Sequence, residues 1–188
     1  TNKLYGLLEL AATSFGFSMA TYTGQNLGAG KYDRIRTGMR SALKMAVATA
    51  VLISIAMIFL GKYFLLLFIS GEPDEVQAVL EVAYTYLFVM CCLLFVLYLL
   101  HLYRSALQGM GDTVIPMVSG VAEFSMRVGC ALVLPLWLGQ NGIYFAEIAA
   151  WAGAVVILVI FYYRRMHHLL HGIPDKRIHI TQDTSRKN

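Results

Sequence analysis

Glu123 and Arg127 lie four residues apart inside an otherwise apolar run, residues 114–134. On a helix that spacing puts both side chains on one face, with the acid ahead of the cation, the favourable order. At the centre of a bilayer each charge would cost about 2.5–3.5 kcal/mol, so the two demand a partner, a neighbouring helix or an aqueous cavity. Two roles fit the pair. It is a protonation or ion-coupling site facing a substrate path, or it is a local ion pair that locks its helix in a bundle. Glu9 is the second candidate, because no cation stands three or four residues from it. An unpaired carboxyl in apolar surroundings can carry a proton, unless it lies near enough to the membrane surface to reach water. Glu147 is expected at an interface and solvated, and Glu81 at an acidic outer mouth.

Residues 84–103 are aromatic and soft: Tyr84, Tyr86, Phe88, Met90, Phe95, Tyr98, His101 and Tyr103. Such a wall suits flat apolar cations through stacking and cation–π contact, and it serves equally as packing or lipid contact. Phe95 and Tyr98 are the candidate cavity residues. Cys91, Cys92 and Cys130 fall in apolar runs without a CxxC pair and read as small buried hydrophobes. His167, His168 and His171 have no acid or cysteine to complete a metal site, and they read as the end of an interfacial helix. No nucleophile–base or metal constellation marks an enzyme, and no cofactor is called for.

The elements that carry these residues are long. Of the 188 residues 58% are hydrophobic and 14% charged, against roughly a quarter charged in an ordinary soluble domain. The charges sit between apolar runs, the composition of a polytopic membrane protein. Five runs reach the length of about 20 residues that a spanning helix needs: near 4–23, 39–61, 79–103, 114–134 and 142–163. The second has room to extend to Ile69, with Lys62 snorkelling at its end. The runs are too long and too weakly alternating for strands. The fold class is therefore all-α, a bundle of five transmembrane helices over residues 1–166, followed by a polar tail over 167–188. The net charge of +4 does not call for nucleic acid, because the cations cluster at the ends of the runs.

Their distribution gives an orientation. Lys31, Arg34, Arg36, Arg40 and Lys44 follow the first run. Residues 70–75 hold acids only, Arg104 opens the third connector, and 137–142 are uncharged. Arg164, Arg165, Lys176, Arg177, Arg186 and Lys187 follow the last run. By the positive-inside rule the N-terminus lies outside and the C-terminus in the cytoplasm. Asp112 and Thr113 are placed to cap the fourth span, with Pro116 in its first turn and Pro135 at its end. Trp137, Tyr144, Tyr162 and Tyr163 fit an interfacial belt. The chain opens on Thr1 with a span at once, as a piece of a longer protein would.

Thr23–Gly30 and Ser105–Gly111 echo each other, each ending a span with Gln and Gly-x-Gly; they belong to two connector motifs, Gly24-Gln-Asn-Leu-Gly-Ala-Gly-Lys-Tyr-Asp-Arg34 and Ala106-Leu-Gln-Gly-Met-Gly-Asp-Thr113. Gln25 with Gly24, Gly28 and Gly30, and Gln108 with Gly109 and Gly111, form a candidate cytoplasmic hinge, in which glycine lets the chain leave a helix. The first motif resembles the connector after the eighth helix of multidrug and toxic compound extrusion (MATE) transporters. The second, with Pro116, resembles the stretch between their tenth and eleventh helices, and the Glu123 to Arg127 pattern is similar to bacterial members. The resemblance runs over about 4–163 and matches helices eight to twelve.

The resemblance implies most of one six-helix lobe of a twelve-helix antiporter in the cell membrane. Its two lobes would alternate access to a central cavity, exporting small amphipathic or cationic substrates against H+ or Na+. The first lobe would be the partner of this one, and the lipid bilayer its solvent. One departure stands out. Sodium-coupled members often carry an acid in the tenth helix, yet none lies between Glu81 and Asp112 here. Two alternatives remain at this stage: a lipid-linked oligosaccharide flippase of the same superfamily, whose cavity would need more cations, and a non-transporting membrane scaffold, which would need no buried charge.

Overall fold

The computed structural model describes residues 2–67, 73–138 and 141–171. Within them the chain forms six helices: α1 (Asn2–Gly28), α2 (Tyr32–Leu66), α3 (Pro73–Cys92), α4 (Leu94–Gly109), α5 (Val114–Leu138) and α6 (Asn141–Leu170). Three of them are long and apolar enough to cross a membrane: α2, α5 over Val114–Pro135, and α6 over Phe145–Leu170. The bent pair α3–α4 passes the same test when its two halves are taken together. α1 has the length, but Glu9 and the hydroxyls of Thr13, Ser14, Ser18, Thr21 and Thr23 dilute its hydropathy. The expectations placed on residues 70–72, on the side chains of Trp137 and Tyr144, and on the tail from 172 onward lie outside the described residues.

The span expected as one helix over 79–103 is broken. α3 and α4 meet at Leu93 with a bend of 52°. No proline or glycine marks the break. It is held by the Ser54 hydroxyl of α2, which donates to the Cys91 carbonyl at 2.6 Å and so satisfies a backbone group that the helix has released. Nearby, the Tyr84 hydroxyl donates to the Ile58 carbonyl at 2.8 Å, and Lys62 lies over the Tyr84 ring at 4.9 Å.

α4 is the axle of the bundle. Leu94, Leu97, Tyr98, Leu100, Leu102, Tyr103, Ala106 and Leu107 are all buried, so its apolar surface runs nearly all round. α1, α2 and α6 pack around it, and α5 packs chiefly on α6. The outward faces keep large apolar side chains, among them Leu52, Phe59, Phe124 and Leu132, as a lipid-facing surface does.

The glycine-rich connectors are shorter than expected, and their glycines divide into two kinds. α1 continues through Gly24 and Gly28, and α2 already starts at Tyr32, so the connector between the first two runs shrinks to three residues. Gly30 (φ +67°) and Gly111 (φ +79°) are the turn glycines. At each end the same bonding recurs. Lys31 N–H donates to the Asn26 carbonyl and Gly30 N–H to Leu27, while Asp112 N–H donates to Leu107 and Gly111 N–H to Gln108. Both are Schellman terminations with glycine in the left-handed position. Gly24 and Gly109 serve packing instead. A Cβ on Gly109 would strike the Ala20 carbonyl and the Thr23 side chain, and one on Gly24 would meet the Gly109 carbonyl at 3.5 Å. Gly16, Ala20 and Gly24 thus line one stripe of α1 against Ser105 and Gly109 of α4, the small-residue contact that lets membrane helices approach closely. The two helices run parallel, and the echo between the connectors is a shared way of ending two neighbours.

Two further boundaries move. The helix carrying Pro135 continues to Leu138, and α6 extends past 163 to Leu170, taking Arg164, Arg165, His167 and His168 into its last turns. Asp112 does cap α5, accepting from Ile115 N–H at 3.2 Å.

Candidate functional site

The acid–cation spacing on α5 is realised. Arg127 Nη2 donates to Glu123 Oε1 at 3.0 Å. The pair is not isolated, however, because two residues from other helices complete it. Arg104 of α4 donates from Nη2 to Glu123 Oε2 at 2.7 Å, and Arg127 Nη2 also lies 2.9 Å from Glu147 Oε1 of α6. Each oxygen of Glu123 therefore accepts from one guanidinium, and Arg127 bridges two carboxylates. Glu123 is the most enclosed of the four, its side chain 15% exposed.

The depth of this network explains why it is needed. Glu123 stands nine residues after Val114, or about 13 Å along α5 at ~1.5 Å per residue. That is near the middle of a hydrocarbon core about 30 Å thick. Four unpaired charges there would cost on the order of 10 kcal/mol, so α4, α5 and α6 are assembled around mutual neutralisation.

Two expectations are corrected here. Arg104 does not open a connector; it sits inside α4, which runs on to Gly109. Glu147 is not solvated at an interface; it is half-buried and paired with Arg127. Sequence spacing held no signal for either, since their partners stand 19 and 20 residues away on other helices.

Glu9 of α1 joins the same neighbourhood. Its Oε1 lies 3.9 Å from His101 Nε2 on α4, and the carboxylate is within electrostatic reach of Glu147. His101 and Arg104 stand three residues apart on the axle helix, so α4 supplies both to one side. Tyr86 of α3 lies within reach of Glu147 and Arg127. Fully buried Trp151 stands four residues beyond Glu147 on α6. Every helix except α2 contributes to this cluster. Its charge does not balance: three carboxylates, Glu9, Glu123 and Glu147, face two guanidiniums, Arg104 and Arg127. With His101 neutral the ionised cluster is one positive charge short.

The aromatic candidates go elsewhere. Tyr98 is fully buried and packs on Phe15 of α1, ring centroids 5.9 Å apart, while Phe95 is 38% exposed. A cleft of about 530 Å³ opens instead between α1 and α2, lined by Phe15, Met19, Tyr22 and Met45 with the hydroxyls of Ser18, Thr37 and Ser41. It lies on a different face of α1 from Glu9. At the far end of α6, His167 and His171 stack at 4.1 Å, one turn apart.

The hinge candidates close the bundle at one end. Gly24, Gly109 and the turn glycines Gly30 and Gly111 hold the ends of α1 and α4 side by side, while Gln25, Gly28 and Gln108 stand in the last turns of those helices.

Comparison with known proteins agrees with this architecture. A family model described as MatE matches residues 1–133. Among solved structures, the inward-facing conformation of a multidrug resistance MATE family transporter of the MOP superfamily is similar, with a TM-score of 0.71 and 19% identity. The match covers 83% of this chain and 34% of that one, so the chain spans about a third of the length of that transporter. No curated protein matches the sequence.

Proposed function

The chain belongs to the MatE family, and from that premise we propose that it forms most of one lobe of a secondary antiporter that exports amphipathic organic cations. In this reading α1, α2, the bent pair α3–α4, α5 and α6 are spans eight to twelve, with the C-terminus in the cytoplasm. A first lobe of the complete transporter closes the opposite wall, and alternating access carries the substrate out against inward H+ or Na+.

One observation carries the proposal: a charged cluster near mid-membrane that lacks a single positive charge. A monovalent cation completes it, whether H+, Na+ or the charged group of a substrate. Only one of these can do so at a time, because a second would leave an uncompensated charge in a low-dielectric setting. Mutual exclusion at one site is the physical requirement of antiport. The coupling candidates are thus Glu123, Arg127 and Glu9 together with Arg104, Glu147 and His101. The apolar, hydroxyl-dotted cleft between α1 and α2 is suited to the hydrophobic part of such a substrate.

The flippase alternative needs free cations for an anionic head group. Two arginines lie within the spans rather than one, but both guanidiniums are engaged by Glu123 and Glu147. A scaffold gains nothing from the buried charges, which cost stability to assemble. The test is exchange of a cationic dye by the complete transporter in proteoliposomes. Uptake driven by an imposed H+ or Na+ gradient is expected, and uptake indifferent to both gradients would overturn the proposal.

A further inference from the structure

Within the charged cluster, the contact between Glu9 and His101 differs from the others. His101 Nδ1 lies 3.0 Å from the Leu97 carbonyl oxygen. A carbonyl only accepts, so the ring hydrogen belongs on Nδ1. In the neutral ring Nε2 is then a bare acceptor, and it faces Glu9 Oε1 across 3.9 Å. Two acceptors set against each other gain nothing until a proton stands between them, on the imidazole or on the carboxyl.

The surrounding groups leave this the place where a proton is missing. Glu147 on α6 lies within electrostatic reach of Glu9, and it is joined in turn to Arg127 and Glu123 on α5, to Arg104 on α4 through Glu123, and to Tyr86 on α3. Arg104 is committed to Glu123, and Arg127 to Glu123 and Glu147. Among the described residues of the cluster, Glu9 is the carboxylate with no guanidinium on it. The Glu9 side chain is also 41% exposed on the surface of the lobe.

We propose that Glu9 and His101 together are the proton-binding site of this lobe. The inference rests on the antiport reading and selects H+ over Na+ as the coupling ion. One proton held between carboxylate and imidazole brings the cluster to neutrality. When a monovalent organic cation supplies that charge, the proton leaves to water, and charge balances one for one.

The experiment is proton release from the complete transporter in weakly buffered detergent, with tetraphenylphosphonium as the cation and a pH indicator as the readout. Wild-type protein is expected to release about one proton per cation bound. His101→Gln keeps the charge deficit and should bind the cation while releasing less than about a third as much. Glu9→Gln removes the deficit, so its cation affinity should fall about tenfold or more. Wild-type proton release from the His101→Gln protein would overturn the assignment. Failure of wild-type protein to bind the cation would count against the transport reading instead. The site is then decided by histidine ¹⁵N spectra of the wild-type and Glu9→Gln proteins. A neutral ring protonated on Nδ1, with a titration that Glu9→Gln displaces, supports the site. A neutral ring protonated on Nε2, or an undisplaced titration, overturns it.

Discussion

Arg104 donates to Glu123 at 2.7 Å across two helices that otherwise touch little. α5 leans on α6, and α4 is wrapped by α1, α2 and α6, so this one bond is the principal tie between α5 and the axle of the bundle. Its partner bond from Arg127 holds α5 to α6 by way of Glu147. The network is a joint as well as a charge store, and the two roles are separable by mutation.

Removing either partner of the joint strands a half-buried charge. Arg104→Gln and Glu123→Gln are each expected to cost about 1.5–3 kcal/mol, the worth of a hydrogen bond to a charged group. The double variant should cost less than the two together by about 1 kcal/mol or more, because the pair is lost only once. Thermal unfolding of the four proteins in detergent measures the cycle. Additive losses would show that the bond carries no coupling.

Glycines that look alike in the connectors should respond differently. Gly109→Val forces a side chain into the Ala20 carbonyl and Thr23, and should destabilise by at least about 2 kcal/mol. Gly28→Ala meets nothing within 4 Å and should be neutral or slightly stabilising. Equal melting temperatures for the two variants would contradict the packing assigned to the α1–α4 stripe.

This contrast shows how far the sequence could be read. Glu123 and Arg127 were legible because their pairing is local, a matter of helical spacing. The all-helical bundle was legible because a bilayer imposes long apolar runs. Arg104 and Glu147 were not, since their pairing exists only once α4, α5 and α6 are side by side. The break at Leu93 was hidden for the same reason: the stabilising hydroxyl belongs to Ser54, 39 positions earlier. Gly24 and Gly109 carry the same letter as Gly30 and Gly111, yet only neighbours in space distinguish a packing glycine from a turn glycine. Tyr98 belonged to a plausible wall by composition, and the fold turned it inward onto Phe15.

The break itself is testable. Ser54→Ala leaves the Cys91 carbonyl without its donor and should cost about 1–3 kcal/mol, read as a fall in melting temperature. Ser54→Thr retains the hydroxyl and should recover most of it. A loss equal in both variants would mean that packing, not the hydrogen bond, holds the bend.

Orientation follows from cation distribution and can be read by labelling. Single cysteines at positions 33 and 74, in a background without Cys91, Cys92 and Cys130, should be reached by an impermeant reagent from opposite sides of the membrane. Labelling of both from one side would remove the topology on which the lobe assignment depends.

Glu123 stands in a cluster that needs one more cation. Glu123→Gln takes that need away, leaving two carboxylates for two guanidiniums. The direct measurement is cation efflux by the complete transporter, per molecule of inserted protein and at several pH values. Efflux reduced at least about tenfold at every pH is the expected result. Efflux equal to wild type throughout would contradict the account and leave the Glu123 network as a structural lock alone.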